Sequence, residues 1–314
     1  MSALSQALDD YLALRRALGA RLVSTEFPLR RFVEFAESVG TDVVTTDLAL
    51  RWATAPGGAS LSTRAARLAH VRRFAAWLSA ADPRTEVPPA DLLPYRVLRK
   101  APYLYSDQEL ARILEEAGRL ASLSGLRALT YQTLFGLLAA TGLRLSEALG
   151  LDCEDVDREG GLLVVRKGKF GKCRFVPLHE TTCEALARYA TRRDRIRPRP
   201  ATPAFFLAER GVRVTASSAQ YTFAVVSRAA GLRPPTLDNR HGRGPRLHDM
   251  RHRLAVATLV RWYREGKDVE RELPRLSTYL GHAHVTDTYW YLEAVPELLQ
   301  LASERAARPR EVAP

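Results

Sequence analysis

Apolar residues recur at helical spacing through most of this chain. Leu4, Leu8, Tyr11, Leu14 and Leu18 fall three or four positions apart, and Leu68, Val71, Phe74, Ala75 and Leu78 repeat the pattern. Such stripes predict four helices over residues 2–19, 26–40, 44–56 and 61–81, each with one face to bury. The segment 82–104 breaks the pattern with Pro83, Pro88, Pro89, Pro94 and Pro102, a density no helix interior tolerates, and reads as a linker. Ser106-Asp107-Gln108-Glu109 then offers a capping box that opens a second domain. Helices are expected at 106–119 and 125–140, with a further one opening near Arg144 after Gly142. Leu162–Val165 and Arg174–Val176 are short β-prone runs joined by a turn holding Gly168 and Gly171, hence a hairpin. Helices at 179–193, near 216–230, one holding His248, and others at 274–281, 285–293 and 296–307 complete the chain. The expected fold is mainly α with a small β-sheet, divided into 1–82, a linker 83–104, and 105–314.

Charge narrows the class. Forty-seven Lys and Arg against 35 Asp and Glu give +12 over 314 residues, which points to a polyanionic partner. Residues 1–100 carry 14 basic against 10 acidic residues and the remainder 33 against 25, so the excess lies on both parts. Arg64, Arg67, Arg72 and Arg73 accompany the fourth apolar stripe and are candidates for a duplex backbone. Arg240 and Arg243 precede the helix of His248 and are candidates of the same kind. Arg192, Arg193, Arg195, Arg197 and Arg199 read as an extended basic loop, either near DNA or solubilising the surface. Three cysteines without Cys-x-x-Cys spacing imply no structural zinc and fit a reducing compartment. With neither a signal pattern nor an apolar run near the ~20 residues that span a bilayer, a cytoplasmic protein is expected.

The chemistry is concentrated in four places. His248 and Arg251 stand three apart, so on a helix they share a face, and the glycine- and proline-containing approach puts them at the helix start, where backbone amides also favour an anion. Arg144, in Thr141-Gly142-Leu143-Arg144-Leu145-Ser146-Glu147, supplies a second guanidinium able to fork onto non-bridging phosphate oxygens. His282 follows Leu280-Gly281, and Tyr291 follows nine positions later. Together these could hold one phosphodiester against a tyrosine. Tyr289 is a second candidate nucleophile, but two residues apart on a helix point roughly 200° apart, so only one of the pair can face the phosphate. Trp290 and Leu292 read as core.

In this order the motifs resemble the tyrosine recombinase (phage integrase) family over most of the chain. The resemblance implies that residues 1–82 form a helical, SAM-like core-binding domain and residues 105–314 an α+β catalytic domain. It makes Arg144, His248, Arg251, His282 and Tyr291 catalytic, with His248 assisting removal of the tyrosine proton and Glu147 supporting the set. Gly168-Lys169-Phe170-Gly171-Lys172-Cys173-Arg174-Phe175-Val176-Pro177-Leu178 is similar to the family's lysine-bearing hairpin and selects Lys169 as the general acid, with Lys167 and Lys172 as alternatives. Around the nucleophile, Ala283-His284-Val285-Thr286-Asp287-Thr288 replaces the family's usual small hydroxyl residues.

What the resemblance implies is a site-specific recombinase that breaks and rejoins double-stranded DNA through a 3′-phosphotyrosyl link. It would act without metal or cofactor, as a homotetramer or a hetero-assembly of related recombinases on paired sites, in integration, excision, resolution or transposition of a mobile element. The absence of a recognisable arm-binding segment before the first helix favours a simple recombinase. The alternatives are a strand swiveller like the type IB topoisomerases and a catalytically silent or accessory DNA-binding member of the fold.

Overall fold

The computed structural model describes residues 2–20, 22, 24–55, 57–93, 102–166, 173–234, 244–282 and 284–307. Lys167, Lys169, Lys172, Arg240 and Arg243 lie outside them. The chain divides into two compact units, residues 1–100 and 101–314.

The first unit is built from α1 (Ala3–Ala17), α2 (Glu26–Ser38), α3 (Thr46–Thr54) and α4 (Leu61–Leu78). Hydroxyls of Ser2, Thr45 and Ser60 accept from otherwise unpaired amides and start α1, α3 and α4. Leu8, Leu12, Leu29, Phe32, Trp52, Val71 and Phe74 pack into its core. The α4 stripe is buried as expected. On α1 the stripe differs, because Leu12 is buried while Leu14 and Leu18 are 45% and 75% exposed. Leu14 sits roughly 80° around the helix from Leu4, on the side away from Leu12, and Leu18 falls beyond the last helical turn. The proline-rich chain as far as Leu93 lies on this unit. The Glu86 amide donates to the Val44 carbonyl, and Leu92 and Leu93 pack against the helical core.

The second unit opens with α5 (Asp107–Gly118), where Ser106 and Glu109 form the anticipated reciprocal cap. Next comes α6 (Leu126–Thr141), apolar nearly all round and correspondingly buried at Leu126, Leu134, Phe135, Leu137 and Leu138. It ends at Gly142, whose φ of +61° reverses the chain into the short α7 (Leu145–Leu149). A Cβ at Gly142 would meet Leu254 at 2.9 Å, so two reasons require glycine there. Strands β1 (Val156–Asp157), β2 (Leu162–Val165) and β3 (Arg174–Pro177) form an antiparallel sheet in that order, with Val156 opposite Leu163 and Val164 opposite Phe175. The hairpin matches expectation. β1, only two residues long, carries no periodicity a sequence could display.

Two expectations are corrected in the rest of the unit. α8 (Glu180–Ile196) runs through Arg192, Arg193 and Arg195, which are therefore helical rather than part of an extended basic loop. Arg193 is buried, donating to the Phe205 carbonyl at 2.8 Å and to Asp194 at 2.7 Å, so this charge ties α8 to its own core. After α9 (Ala216–Ala229) and α10 (Leu247–Arg264) comes α11 (Val269–Leu280), which starts five residues before the expected boundary at Pro274. Burial of Val269, Leu273, Leu276 and Leu280 on one face outweighs the amide donor that proline lacks. The unit closes with α12 (Thr286–Ala294) and α13 (Pro296–Ala307); Tyr291, Val295 and Leu298 share a cluster with Ala255, Leu259 and Leu276.

Candidate active site

Three helix ends meet in the second unit and position the candidate side chains. The last carbonyls of a helix have no intrahelical donor and carry the negative end of its dipole, so they attract guanidinium groups. Arg251, on α10, donates from Nη1 to the Gly142 carbonyl at 2.8 Å and from Nη2 to the Leu280 carbonyl at 2.6 Å. Arg144, at the start of α7, donates from Nη2 to the Gly281 carbonyl at 2.8 Å. Arg174, on β3, donates from Nε to the Tyr279 carbonyl at 3.0 Å. The C-terminal ends of α6 and α11 thus hold three arginines side by side.

One carboxylate sits among them. Glu147 is buried, accepts from Arg144 Nη1 at 2.8 Å, and takes both terminal nitrogens of Arg174 at 3.0 and 2.9 Å. It also accepts from the Arg144 amide at 2.9 Å and so caps α7. Burial by itself would raise its pKa, but the hydrogen bonds from Arg174 and the Arg144 amide outweigh this and hold it at about 2. Glu147 is therefore ionised at neutral pH. Arg251 is 2% exposed and, among the described residues, has no carboxylate within salt-bridge distance. Burial and the neighbouring charge of Arg144 bring its pKa down to about 10, which leaves it protonated at pH 7. Among the described residues these three arginines have one carboxylate partner between them, an unneutralised excess of the kind that grips a phosphodiester.

The tyrosine and the histidines line the same place. Tyr291 is 2% exposed, whereas Tyr289 is 43% exposed on the far side of α12. Burial raises the Tyr291 pKa, opposed by the charge of Arg251 and a hydrogen bond from it. His282 follows Gly281, which ends α11 with a φ of +68°, and its ring lies nearly parallel to Tyr291 with centroids 6.3 Å apart. His282 Nδ1 bonds the buried Thr288 hydroxyl at 2.7 Å, leaving Nε2 as the nitrogen available to another partner. Its pKa is lowered to about 4 by burial and by Arg251 and Arg144. His248 occupies the second position of α10, at the helix start as its approach sequence suggested, and lies on the exposed rim. Partial loss of water, then the charges of Arg251 and Arg246, lower its pKa. A cavity of about 760 Å³ opens beside His248 and Arg144 and is also lined by Ser146, Ser217, Gln220 and Arg246.

Five expected catalytic residues, Arg144, His248, Arg251, His282 and Tyr291, therefore come together with Glu147. Lys169 and its alternatives fall outside the described residues. Of the backbone candidates on α4, Arg67 folds onto its own unit, donating to the Trp52 carbonyl at 2.9 Å with its guanidinium 4.0 Å from the Trp52 ring. Arg73 bonds His70 Nδ1 at 2.9 Å, and Arg64 and Arg72 are half-buried. Trp290 is half-buried against the α10–α12 cluster, while the Leu292 side chain lies outside the description.

Sequence reasoning missed two residues. Arg174 shares the inward face of β3 with buried Val176, while Phe175 between them points outward and is 68% exposed. An arginine at an inward strand position needs a buried anion, and that signal was readable. His252 stands four residues after His248 and so on the same face of α10, with ring centroids 4.6 Å apart, and its Nδ1 lies 3.3 Å from the Tyr291 hydroxyl.

Residues 104–297 match the Phage integrase family. The chain is 46% identical over 312 residues to a putative integrase/recombinase, y4rB, of Sinorhizobium fredii, covering 98% of each. It is 32% identical over 301 residues, 91% of each, to the tyrosine recombinase XerD of Mycobacterium tuberculosis. The fold is shared with the Tn1549 transposon integrase, solved in complex with transposon right end DNA. That match has a TM-score of 0.66 at 18% identity and covers 98% of this chain and 100% of the other. Its family and its curated relatives make the chain a DNA breaking-and-rejoining enzyme of the tyrosine recombinase class. The chain belongs to the phage integrase family, and site-specific DNA recombination is the activity this membership supports.

Proposed function

We propose that this protein recombines DNA of a mobile element by way of a 3′-phosphotyrosyl intermediate, with Tyr291 as nucleophile. The observation that carries the reading is the buried Tyr291 hydroxyl beside Arg251, which has no carboxylate partner among the described residues, next to the Arg144 and Arg174 guanidiniums that share Glu147. The Tyr291 hydroxyl gives its proton to a neighbouring imidazole as its oxygen attacks phosphorus, the bond to the 5′ oxygen breaks, and Lys169 protonates the departing oxygen. Arg144 and Arg251 stabilise the charge that grows on the non-bridging oxygens, assisted by His248 and by Nε2 of His282. The phosphotyrosyl bond conserves the energy of the phosphodiester, so the 5′-hydroxyl of another strand rejoins it without ATP. Exchange between two duplexes consumes one tyrosine for each of four strands, which calls for four protomers on paired sites. Charge stabilisation by these fixed cations supports chemistry independent of added metal.

A nicked suicide substrate tests the proposal, because loss of the short fragment traps the covalent complex. The expected result is a protein–DNA adduct on a denaturing gel, formed by the wild type in excess chelator. It should also form with Tyr289→Phe and be absent with Tyr291→Phe, which still binds duplex DNA. A wild type that binds DNA but never forms the adduct would instead be an accessory binder.

A further inference from the structure

The tyrosine hydroxyl has two polar neighbours with different capabilities. Arg251 can only donate, so the interaction between them uses a lone pair of the tyrosine oxygen. The hydroxyl's own proton must point elsewhere, and the ring nitrogen facing it is His252 Nδ1, at 3.3 Å. The His252 ring is fixed, being 8% exposed and packed against Tyr291, Trp290 and His248 with centroids 5.4, 5.2 and 4.6 Å away. Burial, with His248 alongside, lowers its pKa to about 4, so at neutral pH the imidazole is uncharged and Nδ1 can serve as an acceptor. His248 sits on the exposed rim; among the described residues, no hydrogen bond joins it to Tyr291.

We propose that His252 is a further catalytic residue, whose Nδ1 aims the Tyr291 hydroxyl and takes its proton as the oxygen bonds to phosphorus. The inference rests on Tyr291 being the nucleophile. In the step, the tyrosine O–H bond breaks toward Nδ1 and the O–P bond forms. The bond from phosphorus to the 5′ oxygen breaks, and that oxygen takes its proton from Lys169. The imidazolium formed on His252 returns its proton to the tyrosine oxygen when a 5′-hydroxyl rejoins the strand. This leaves His248 to bond the phosphate from the rim, and divides between two histidines of one helix face the work of orienting phosphate and nucleophile.

The test compares two full-length variants in single-turnover cleavage of the suicide substrate at saturating DNA. His252→Phe keeps an aromatic ring for packing but has no acceptor, whereas His252→Asn places an amide group close to the position of Nδ1. Adduct formation should fall about 100-fold in His252→Phe, within the range of a lost general base, and by less, though still more than about tenfold, in His252→Asn, whose amide can aim the hydroxyl but cannot take its proton, with DNA affinity unchanged in both. Replacing Tyr291 by 3,5-difluorotyrosine, whose phenol is more acidic, should recover most of the His252→Phe loss, an effect a packing role would not produce. His252→Leu offers the same apolar comparison in a smaller side chain if the phenyl ring is not accommodated. Adduct formation at the wild-type rate by folded His252→Phe overturns the inference, as do equal losses in Phe and Asn variants that difluorotyrosine leaves unchanged. Failure of the wild type to form an adduct would count against the proposed function itself and is read separately.

Discussion

Glu147 is the residue on which the site balances. Its single charge is divided between Arg144 and Arg174, and its pKa of about 2 against an ordinary 4.5 means the ionised form is the one the fold selects. Such a depressed carboxyl contributes stability fully above pH 4.5 and loses it as the pH falls toward 2; the gap corresponds to about 3 kcal/mol. Glu147→Gln should lower the stability at pH 7 by about 3 kcal/mol, because two guanidiniums would remain against a neutral amide, and should flatten the acid limb of the unfolding curve. Denaturant titrations at pH 7 and pH 3 read both effects, and an unaltered acid limb in the variant would refute the assignment. His252 and His282, each near 4 against an ordinary 6.5, add an earlier stage. Their neutral forms are favoured by the fold, so stability is complete above pH 6.5 and declines as the pH falls toward 4.

At this scale the sequence showed the residues whose chemistry is unusual for their setting: Arg144, His248, Arg251, His282 and Tyr291. It hid Arg174 and His252, whose significance comes from partners far along the chain. Arg174 reaches Glu147 across 27 positions, and His252 reaches Tyr291 across 39.

Among elements, the end of α11 carries the most consequence. Its terminal carbonyls hold Arg251, Arg174 and Arg144, and Gly281 turns the chain so that His282 faces Tyr291. A Cβ at Gly281 would lie 2.6 Å from Arg174 Nη1, besides forcing a side chain into a left-handed backbone. Gly281→Ala should reduce adduct formation by at least about 100-fold while duplex binding falls only a few-fold, since the charges remain and their geometry does not. Equal losses of binding and cleavage would show the turn to be merely structural. A milder change lies one turn before the nucleophile. Thr288→Val removes the hydroxyl that fixes the His282 ring and should slow cleavage about tenfold, with Thr288→Ser recovering most of it; rates measured with saturating DNA separate this from weaker binding.

Helices were legible where apolar residues recurred at helical spacing, as on α4, or filled a whole segment, as on α6. Legibility failed where tertiary packing overruled a local signal. Pro274 looked like a helix start but lies inside α11, and a run of arginines that looked like surface contains buried Arg193.

For the molecule as a whole, the surplus of cations is a statement about what the free protein lacks. Three guanidiniums facing one carboxylate repel one another until an anion arrives, so ligands that carry tetrahedral oxyanions should stabilise the fold by mass action. Sulfate should raise the thermal midpoint more than chloride at equal ionic strength, and Arg144→Ala should shrink the difference; identical responses in the two proteins would place the bound anion elsewhere. The net charge of +12 further predicts that duplex affinity falls steeply with added salt, with Arg64→Ala and Arg73→Ala each reducing the slope of log affinity against log salt by about one.

The hydrogen bond from Arg144 to Gly281 joins residues 137 positions apart. During synthesis the chain emerges from its N-terminus, so Arg144 and Glu147 are made long before α11 and the tyrosine helix exist to meet them. A nascent or prematurely terminated chain ending before α11 possesses the first unit and its basic helix but lacks the parts that compose the reactive centre. The order of translation thereby places assembly of the reactive centre well after the first unit has been made.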